Sequence, residues 1–358
     1  MLRTGEAEMR PTMALLCPEH RQPLVTEPAG EEISEKTTAL KCSSGCRFAV
    51  IGGIPRFVPK ENYAAAFGHQ WKAFRRTQLD SYTGTDITRN RLERCLGGSL
   101  DVVEGKRVLE AGCGAGRFTE ILLAANANVF ACDLSTAVEA NRENCGRAAD
   151  YFVCQADITN LPVEQGSFDL VICLGVIQHT PDPDRTIATL CSYARPGGLL
   201  VIDHYRYSAE DMTRTRQALR NVLIRTSPKV SLAVIRTVVA VLWPVHRLFW
   251  ATRKLPYGAV LRQKLLKVSP VLDYHDSYIQ LGPKLLYAWA ALDTHDALTD
   301  RYKFKRTVEE IRDCLARCGM EEIEAHYGGN GVEARARKPP RSSNAPQSFK
   351  AEATSSKA

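Results

Sequence analysis

The stretch V-L-E-A-G-C-G-A-G-R-F-T-E, Val108 to Glu120, ends a hydrophobic run in three glycines spaced two residues apart. The run reads as a buried strand, and F-T-E-I-L-L-A-A behind the glycines reads as a helix. A glycine turn between strand and helix lets a ligand approach the backbone at a helix N-terminus, because no Cβ stands in the way. Dinucleotides and other nucleoside ligands both use such turns. The residues further along the chain have to separate them.

The strand-and-helix rhythm continues from that turn. N-V-F-A-C-D, Y-F-V-C-Q-A-D and F-D-L-V-I-C-L read as the next three strands, with S-T-A-V-E-A-N-R-E-N as a helix between the first two. The helix T-I-A-T-L-C-S-Y-A leads over R-P-G-G into a fifth strand, L-L-V-I-D-H-Y. Short, nearly continuous apolar strands separated by helices predict an α/β Rossmann-like sheet, parallel and covered on both faces. Residues 206–300 read as helices, a basic insertion after the fifth strand. A helix, T-V-E-E-I-R-D-C-L-A-R-C-G-M, and the strands E-E-I-E-A-H-Y and G-V-E-A-R-A-R-K then close a seven-stranded sheet. The expected units are a ribbon at 14–58, a helical cap at 59–98, the sheet domain at 99–205 with 301–338, and a disordered Ser/Lys/Ala/Pro tail at 339–358. Within the cap, Thr88 is the expected start of the second helix.

The acids discriminate between ligands. Asp133, ending the second strand, suits ribose hydroxyls in either ligand class. Glu110, just before the glycines, would repel a pyrophosphate but suits water or an ammonium group. Asp157, ending the third strand, is placed to accept from an adenine amino group. The joint spacing of Glu110, Gly112-Gly114-Gly116, Asp133 and Asp157 resembles the class I S-adenosylmethionine-dependent methyltransferases. The resemblance is strongest from Lys106 to Tyr205. It implies that Gly112, Cys113, Gly114 and Gly116 lie along the methionine portion of the cofactor. Asp133 would hold the ribose with Leu134 against adenine, and Asp157 with Ile158 the adenine ring. L-G-V-I-Q-H-T-P, Leu174 to Pro181, resembles the fourth-strand loop flanking the methionine and the methyl acceptor. F-G-H-Q-W-K-A-F-R-R-T-Q-L-D, Phe67 to Asp80, resembles a leader that closes over the cofactor in a subgroup, with Gln70, Trp71 or Tyr82 as capping residues. An amphipathic helix packed on the sheet edge explains the same pattern.

C-P-E-H with Cys17 and His20, followed by C-S-S-G-C with Cys42 and Cys46, places two ligand pairs on turns, the usual build of a four-coordinate structural zinc site. The segment ending I-G-G-I-P-R-F resembles the ribbon preceding some methyltransferase domains, including ribosomal RNA methylating ones. It departs from that pattern in carrying His20 for a cysteine and a three-residue gap in its second pair. A ribbon that has lost its metal is the alternative.

Transfer to a hydroxyl needs a proton acceptor, and histidine suits that role near neutral pH. His179 in the fourth-strand loop and His204 after the fifth strand are the candidate bases, with Asp203 and Tyr205 as helpers. His275 and His295 are lesser candidates. A-L-D-T-H-D-A-L-T-D-R-Y-K-F-K resembles a return segment lining the acceptor cavity, which makes Asp293, Tyr302 and Lys305 candidate pocket residues; Tyr327 and Asn330 are candidates at its mouth.

Apolar content of 44% and charged content of 24% exclude a disordered or fibrous chain. Twelve cysteines behind a charged start predict a reducing, cytoplasmic setting, nine of them as buried thiols. Between Arg206 and Lys267 stand thirteen Lys or Arg against Glu210 and Asp211, a local net of +11 that exceeds the +7 of the chain. The apolar stripes among these charges fit packing on the sheet or in a homodimer, peripheral membrane contact, or a lid over the substrate. Arg236, Pro244 and His246-Arg247 interrupt the most apolar stretch, so no membrane-spanning helix is expected. The leading expectation is a methyltransferase using S-adenosylmethionine, with structural zinc as a possible second group, acting on the oxygen of a natural-product, sugar, lipid-linked or carrier-linked acceptor. The alternatives are an RNA base methyltransferase, disfavoured because no RNA module is recognisable, and a cofactor-binding protein without chemistry.

Overall fold

The computed structural model of the chain describes residues 13–30, 32–146, 148, 150–207 and 213–341. The expected tail therefore lies almost wholly outside the described residues, as do Glu210 and Asp211. Four short antiparallel strands come first: β1 (Val25–Glu27), β2 (Ala39–Lys41), β3 (Arg47–Ile51) and β4 (Ile54–Pro55). Three cap helices follow, α1 (Ala65–Ala73), α2 (Asp80–Thr83) and α3 (Ile87–Leu96). Thr88 is not the residue that starts α3. The Asp80 carboxylate accepts from Thr88 N at 3.0 Å and Arg89 N at 2.8 Å, so a residue eight positions back caps the helix. The Thr88 hydroxyl instead donates to Gln78 O.

The sheet domain runs β5 (Arg107–Ala111), α4 (Thr119–Ala124), β6 (Asn128–Asp133), α5 (Val138–Cys145), β7 (Tyr151–Gln155), β8 (Phe168–Cys173), α6 (Pro183–Tyr193) and β9 (Ala194–His204). The insertion contributes α7 (Arg214–Leu223), α8 (Pro228–Ala251), α9 (Gly258–Val268) and α10 (Gly282–Thr299). The chain returns through α11 (Val308–Arg317), β10 (Glu321–Gly328) and β11 (Gly331–Arg337). Thr307 and Glu310 start α11 with a reciprocal capping box.

The seven-stranded order is β10-β11-β9-β8-β5-β6-β7, parallel from β9 to β7, with β11 antiparallel to both β9 and β10. Strand order reverses between β5 and β8, and ligands of open sheets bind outside that switch point, at the carboxyl ends of the strands. Alternation along each strand feeds two cores: Leu109, Phe130 and Phe152 enter one, Val108, Val129 and Val153 the other. R-P-G-G belongs to β9 itself, where the β8–β9 register shifts.

The ribbon adds Leu15, Ile33, Leu40 and Val50 to the first core and covers the β7 edge. Phe57 N donates to Gln155 O, and Arg21 Nη1 to Leu161 O, both at 2.8 Å. The insertion has its own core of Ile235, Val239, Trp243, Leu286 and Trp289, with Phe74 of the cap packed against it. Pro244 does not interrupt α8, which runs unbroken for 24 residues. Pro244 and Ala240, four residues back, both face solvent, so the carbonyl left without an N–H partner lies on the side open to water. By length and composition α8 is therefore apolar enough to cross a membrane, contrary to the expectation from its interruptions. Cys145 and Cys318 are half-buried, where full burial was expected.

Candidate functional site

A cavity of about 310 Å³ opens at the carboxyl ends of β5, β6, β7 and β8. Its floor is the glycine turn. Gly112 has φ +82° and Gly112 N donates to Cys132 O at 2.7 Å; a Cβ there would lie 2.3 Å from Val176 Cγ2. A Cβ on Gly114 would touch the Trp71 indole at 3.3 Å, so α1 lies directly over the turn. Of the expected cofactor residues, Gly112, Cys113, Gly114, Asp133, Leu134, Asp157, Ile158, Leu174 and Trp71 all line this cavity. Cys113 contributes through its backbone, its thiol belonging to the core beneath.

The two aspartates are held differently. Asp133 accepts from Gly114 N at 3.0 Å, Ser135 N at 2.8 Å and the Ser135 hydroxyl at 2.6 Å, which fixes its orientation; burial nevertheless pushes its pKa up. Asp157 Oδ1 accepts from Thr159 N and the Thr159 hydroxyl, both at 2.8 Å. Asp157 Oδ2 has no hydrogen-bond partner among the described residues, so it is open to a donor in the cavity. Burial and the nearby Asp157 and Asp133 charges push the Tyr63 phenol up.

Four expected contacts lie elsewhere. Glu110 is enclosed behind the strand, where it accepts from the Thr119 hydroxyl at 2.6 Å, and burial raises its pKa to about 8. Gly116 backs onto Cys145 and Asn141 instead of the cavity. Gln70 turns into the insertion, with Oε1 2.7 Å from His295 Nδ1. Tyr82 is exposed and lies under the Arg76 guanidinium, 4.3 Å from its ring centroid.

Of the four candidate catalytic residues, only His179 reaches the cavity. Its Nδ1 lies 3.1 Å from Tyr302 O and 3.3 Å from Asp300 Oδ2. Asp300 is itself held by Arg220 at 3.0 Å and Lys303 at 3.0 Å. Burial disfavours the imidazolium, but the Asp300 contact and the Asp296 and Asp300 charges outweigh it, and the His179 pKa lies above the ordinary imidazole value. Tyr205 packs edge-on against His179 at 5.3 Å, and burial with the neighbouring aspartates pushes its phenol far up. Asp203 is wholly buried, paired with Arg91, and accepts from Gly175 N at 2.5 Å and Asn330 Nδ2 at 3.1 Å. It braces the loop. His204 is buried away from the cavity, its pKa lowered by that burial.

The remaining candidates are outside the lining. Asp293 accepts from Gln78 Nε2 at 3.2 Å and Trp289 Nε1 at 2.9 Å, a layer behind, and burial pushes it up to about 6. Tyr302 serves through its carbonyl, and Lys305 does not line the cavity. His275 pairs with Asp273 at 2.7 Å inside the insertion, and Tyr327 lies exposed on the β10–β11 hairpin. Sequence reasoning missed Tyr63, Gln78, Arg91 and Arg117 of the lining. Arg117 follows Gly116 directly and donates to Gln78 Oε1 at 2.6 Å and Thr88 Oγ1 at 3.2 Å; among the described residues no carboxylate is in hydrogen-bond contact with it, although the Asp293 and Asp80 charges favour its cation. Burial, then the Arg91 charge, brings its pKa down to about 10.

In the ribbon, the Sγ atoms of Cys17, Cys42 and Cys46 lie 3.7, 3.6 and 3.4 Å from His20 Nδ1, and all four donor atoms fall within 4.8 Å of one another. Tetrahedral zinc with Zn–S near ~2.3 Å spaces its ligands by about 3.5–3.8 Å. The donor set fits a closed four-coordinate site.

Strand order, glycine turn and carboxylate positions define a class I S-adenosylmethionine-dependent methyltransferase fold with a Cys/His cluster in an N-terminal ribbon. Residues 109–202 match the family described as a methyltransferase domain. The chain is 37% identical over 98 residues to a ubiquinone biosynthesis O-methyltransferase of Aromatoleum aromaticum, covering 26% of this chain and 42% of that protein. An uncharacterized Synechococcus protein is 41% identical over 108 residues, 28% of this chain and 25% of its own length. The chain thus spans less than half of these curated relatives. Human N-acetylserotonin methyltransferase, solved with S-adenosylmethionine, matches 79% of this chain and 60% of its own at 13% identity and a TM-score of 0.43.

Proposed function

We propose that the chain is a methyltransferase using S-adenosylmethionine to methylate an oxygen of a small-molecule acceptor. The observation carrying this reading is the convergence on one cavity of the Gly112–Gly114 turn, Asp133, Asp157 and His179. S-adenosylmethionine, when bound, supplies an electrophilic methyl group on a sulfonium. Asp133 accepts from ribose hydroxyls, Asp157 Oδ2 from an adenine amino group, and Leu134 and Ile158 supply apolar faces for the ring. Arg117 presents its guanidinium to a carboxylate. Methyl displacement needs alignment above all, and the walls of the cavity provide it.

His179 takes the acceptor proton. Its Nδ1 is engaged by Tyr302 O and Asp300, which leaves Nε2 as the basic atom. The name of the Aromatoleum relative, an O-methyltransferase, supports a hydroxyl acceptor. Cys17, His20, Cys42 and Cys46 hold a zinc ion that stabilises the ribbon.

Calorimetry with S-adenosylhomocysteine tests the site. Asp157→Ala and Asp133→Ala are each expected to weaken affinity at least about tenfold, the value of one charge-assisted hydrogen bond. Unchanged affinity in both variants refutes the assignment.

A further inference from the structure

We propose that the α8–α9 face of the insertion docks on an anionic lipid surface, with Leu255 and Tyr257 at its leading edge. Helix α8 is apolar on two sides. Its inner side, Ile235, Val239, Trp243 and His246, is buried in the insertion core. Its outer side should be polar in a helix that faces only water. Instead Val241 is 66% exposed and Leu248 lies exposed about two turns further on, with Ala233, Thr237, Ala240 and Pro244 also on the solvent side. No charge interrupts that stripe; Arg236 and Arg247 flank it.

The outer apolar surface continues past the end of α8. Leu255 is 60% exposed and Tyr257, held in a left-handed conformation at φ +62°, is 81% exposed at the α8–α9 turn. Val260 and Leu261 are exposed on the first turn of α9. Between Pro228 and Val268 there are eight Lys or Arg and no acid. Only Arg262 is buried in ion pairs, with Asp273 and Asp276; Lys254, next to the apolar tip in sequence, and Lys264 and Lys267, further along α9, are exposed. Exposed aliphatic side chains rimmed by cations and free of carboxylates are the chemistry of an interfacial helix on acidic headgroups.

The arrangement excludes a membrane span, although α8 is long enough for one. Spanning would strip His246 of Asp273, at 2.7 Å, and of Ser269, at 2.8 Å. It also argues against RNA as the occupant: the exposed groups between the cations are aliphatic apart from Tyr257, whereas single-strand platforms stack bases on several aromatics. The inference does not depend on the methyl-transfer reading.

The test is co-sedimentation of the full chain with vesicles of phosphatidylcholine alone or mixed with phosphatidylglycerol, at low and high salt. Binding is expected to the mixed vesicles only and to weaken with salt. Lys264→Glu with Lys267→Glu is expected to reduce it by at least about tenfold, since each cation near such a surface contributes roughly a factor of five. Leu255→Asp with Tyr257→Asp, both on an exposed turn, is expected to abolish it while leaving S-adenosylhomocysteine affinity unchanged. Docking is overturned by any of three results: no binding to the acidic vesicles, wild-type binding by the Asp pair, or a stable homodimer that buries Leu255 and Tyr257. Tighter retention of single-stranded RNA than of acidic vesicles likewise overturns it.

Discussion

Arg117→Met separates what the cavity does for folding from what it does for binding. The Arg117 guanidinium sits in the cavity wall with its pKa brought well below the ordinary guanidinium value, to about 10, burial being the main cause. That is a bias of about 3 kcal/mol against the charged form in the folded protein. Methionine keeps most of the volume and removes the charge. It also leaves Gln78 Oε1 without its 2.6 Å donor, at about 1–2 kcal/mol, while Thr88 Oγ1 keeps its bond to Gln78 O. The empty protein is therefore expected to gain about 1–2 kcal/mol, read from urea unfolding as a higher midpoint at constant slope. Affinity for S-adenosylhomocysteine is expected to fall about ten- to a hundredfold, because a charged hydrogen bond to a carboxylate is lost. A variant destabilised by more than about 1 kcal/mol that binds as tightly as the parent refutes the reasoning: Arg117 would then be a structural cation.

Gly112→Ala is expected to cost about 2–5 kcal/mol, from a left-handed non-glycine residue and from overlap with Val176. Adding Val176→Ala should recover the overlap but not the backbone part; a double-mutant cycle with no coupling between the sites contradicts this. The Asp300 carboxylate keeps the His179 pKa raised, so the neutral base accumulates only above the ordinary imidazole range. The acidic limb of kcat/KM is accordingly expected to move to lower pH in Asp300→Asn, and an unmoved limb removes His179 as the base. The same raised pKa makes the His179–Asp300 contribution to stability complete below the unfolded imidazole pKa. It is lost as pH rises through the folded value. Metal analysis is expected to find one zinc per chain, absent in Cys42→Ser, with a lowered melting temperature; zinc-free protein purified without chelators contradicts the ribbon site.

What could be read from sequence was whatever depends on local pattern. Leu109, Phe130 and Phe152 alternate with Val108, Val129 and Val153 along β5 to β7, and a parallel sheet follows from that alternation with the intervening helices. Asp133 and Asp157 were legible because strand ends bring them to the same rim. Thr88 misled because its true capping partner, Asp80, is supplied by a separate helix. Pro244 misled because its cost depends on which side of α8 faces water. Glu110 has the right spacing, yet the strand points it at Thr119. Asp300 lies 121 residues beyond His179 and Tyr63 precedes the sheet altogether, so their places at the cavity come from tertiary packing.

Helix α1 belongs to two neighbourhoods at once. Trp71 lies on the glycine turn, while Gln70 contacts His295 of α10 and Phe74 lies beneath Arg236 of α8. Three side chains within little more than one turn of a short rod thus join the insertion to the roof of the cavity. Thermodynamic reciprocity then sets a quantitative demand. By whatever factor an occupied cavity changes the grip of the insertion on an outside surface, that surface must change the grip of the cavity on its occupant.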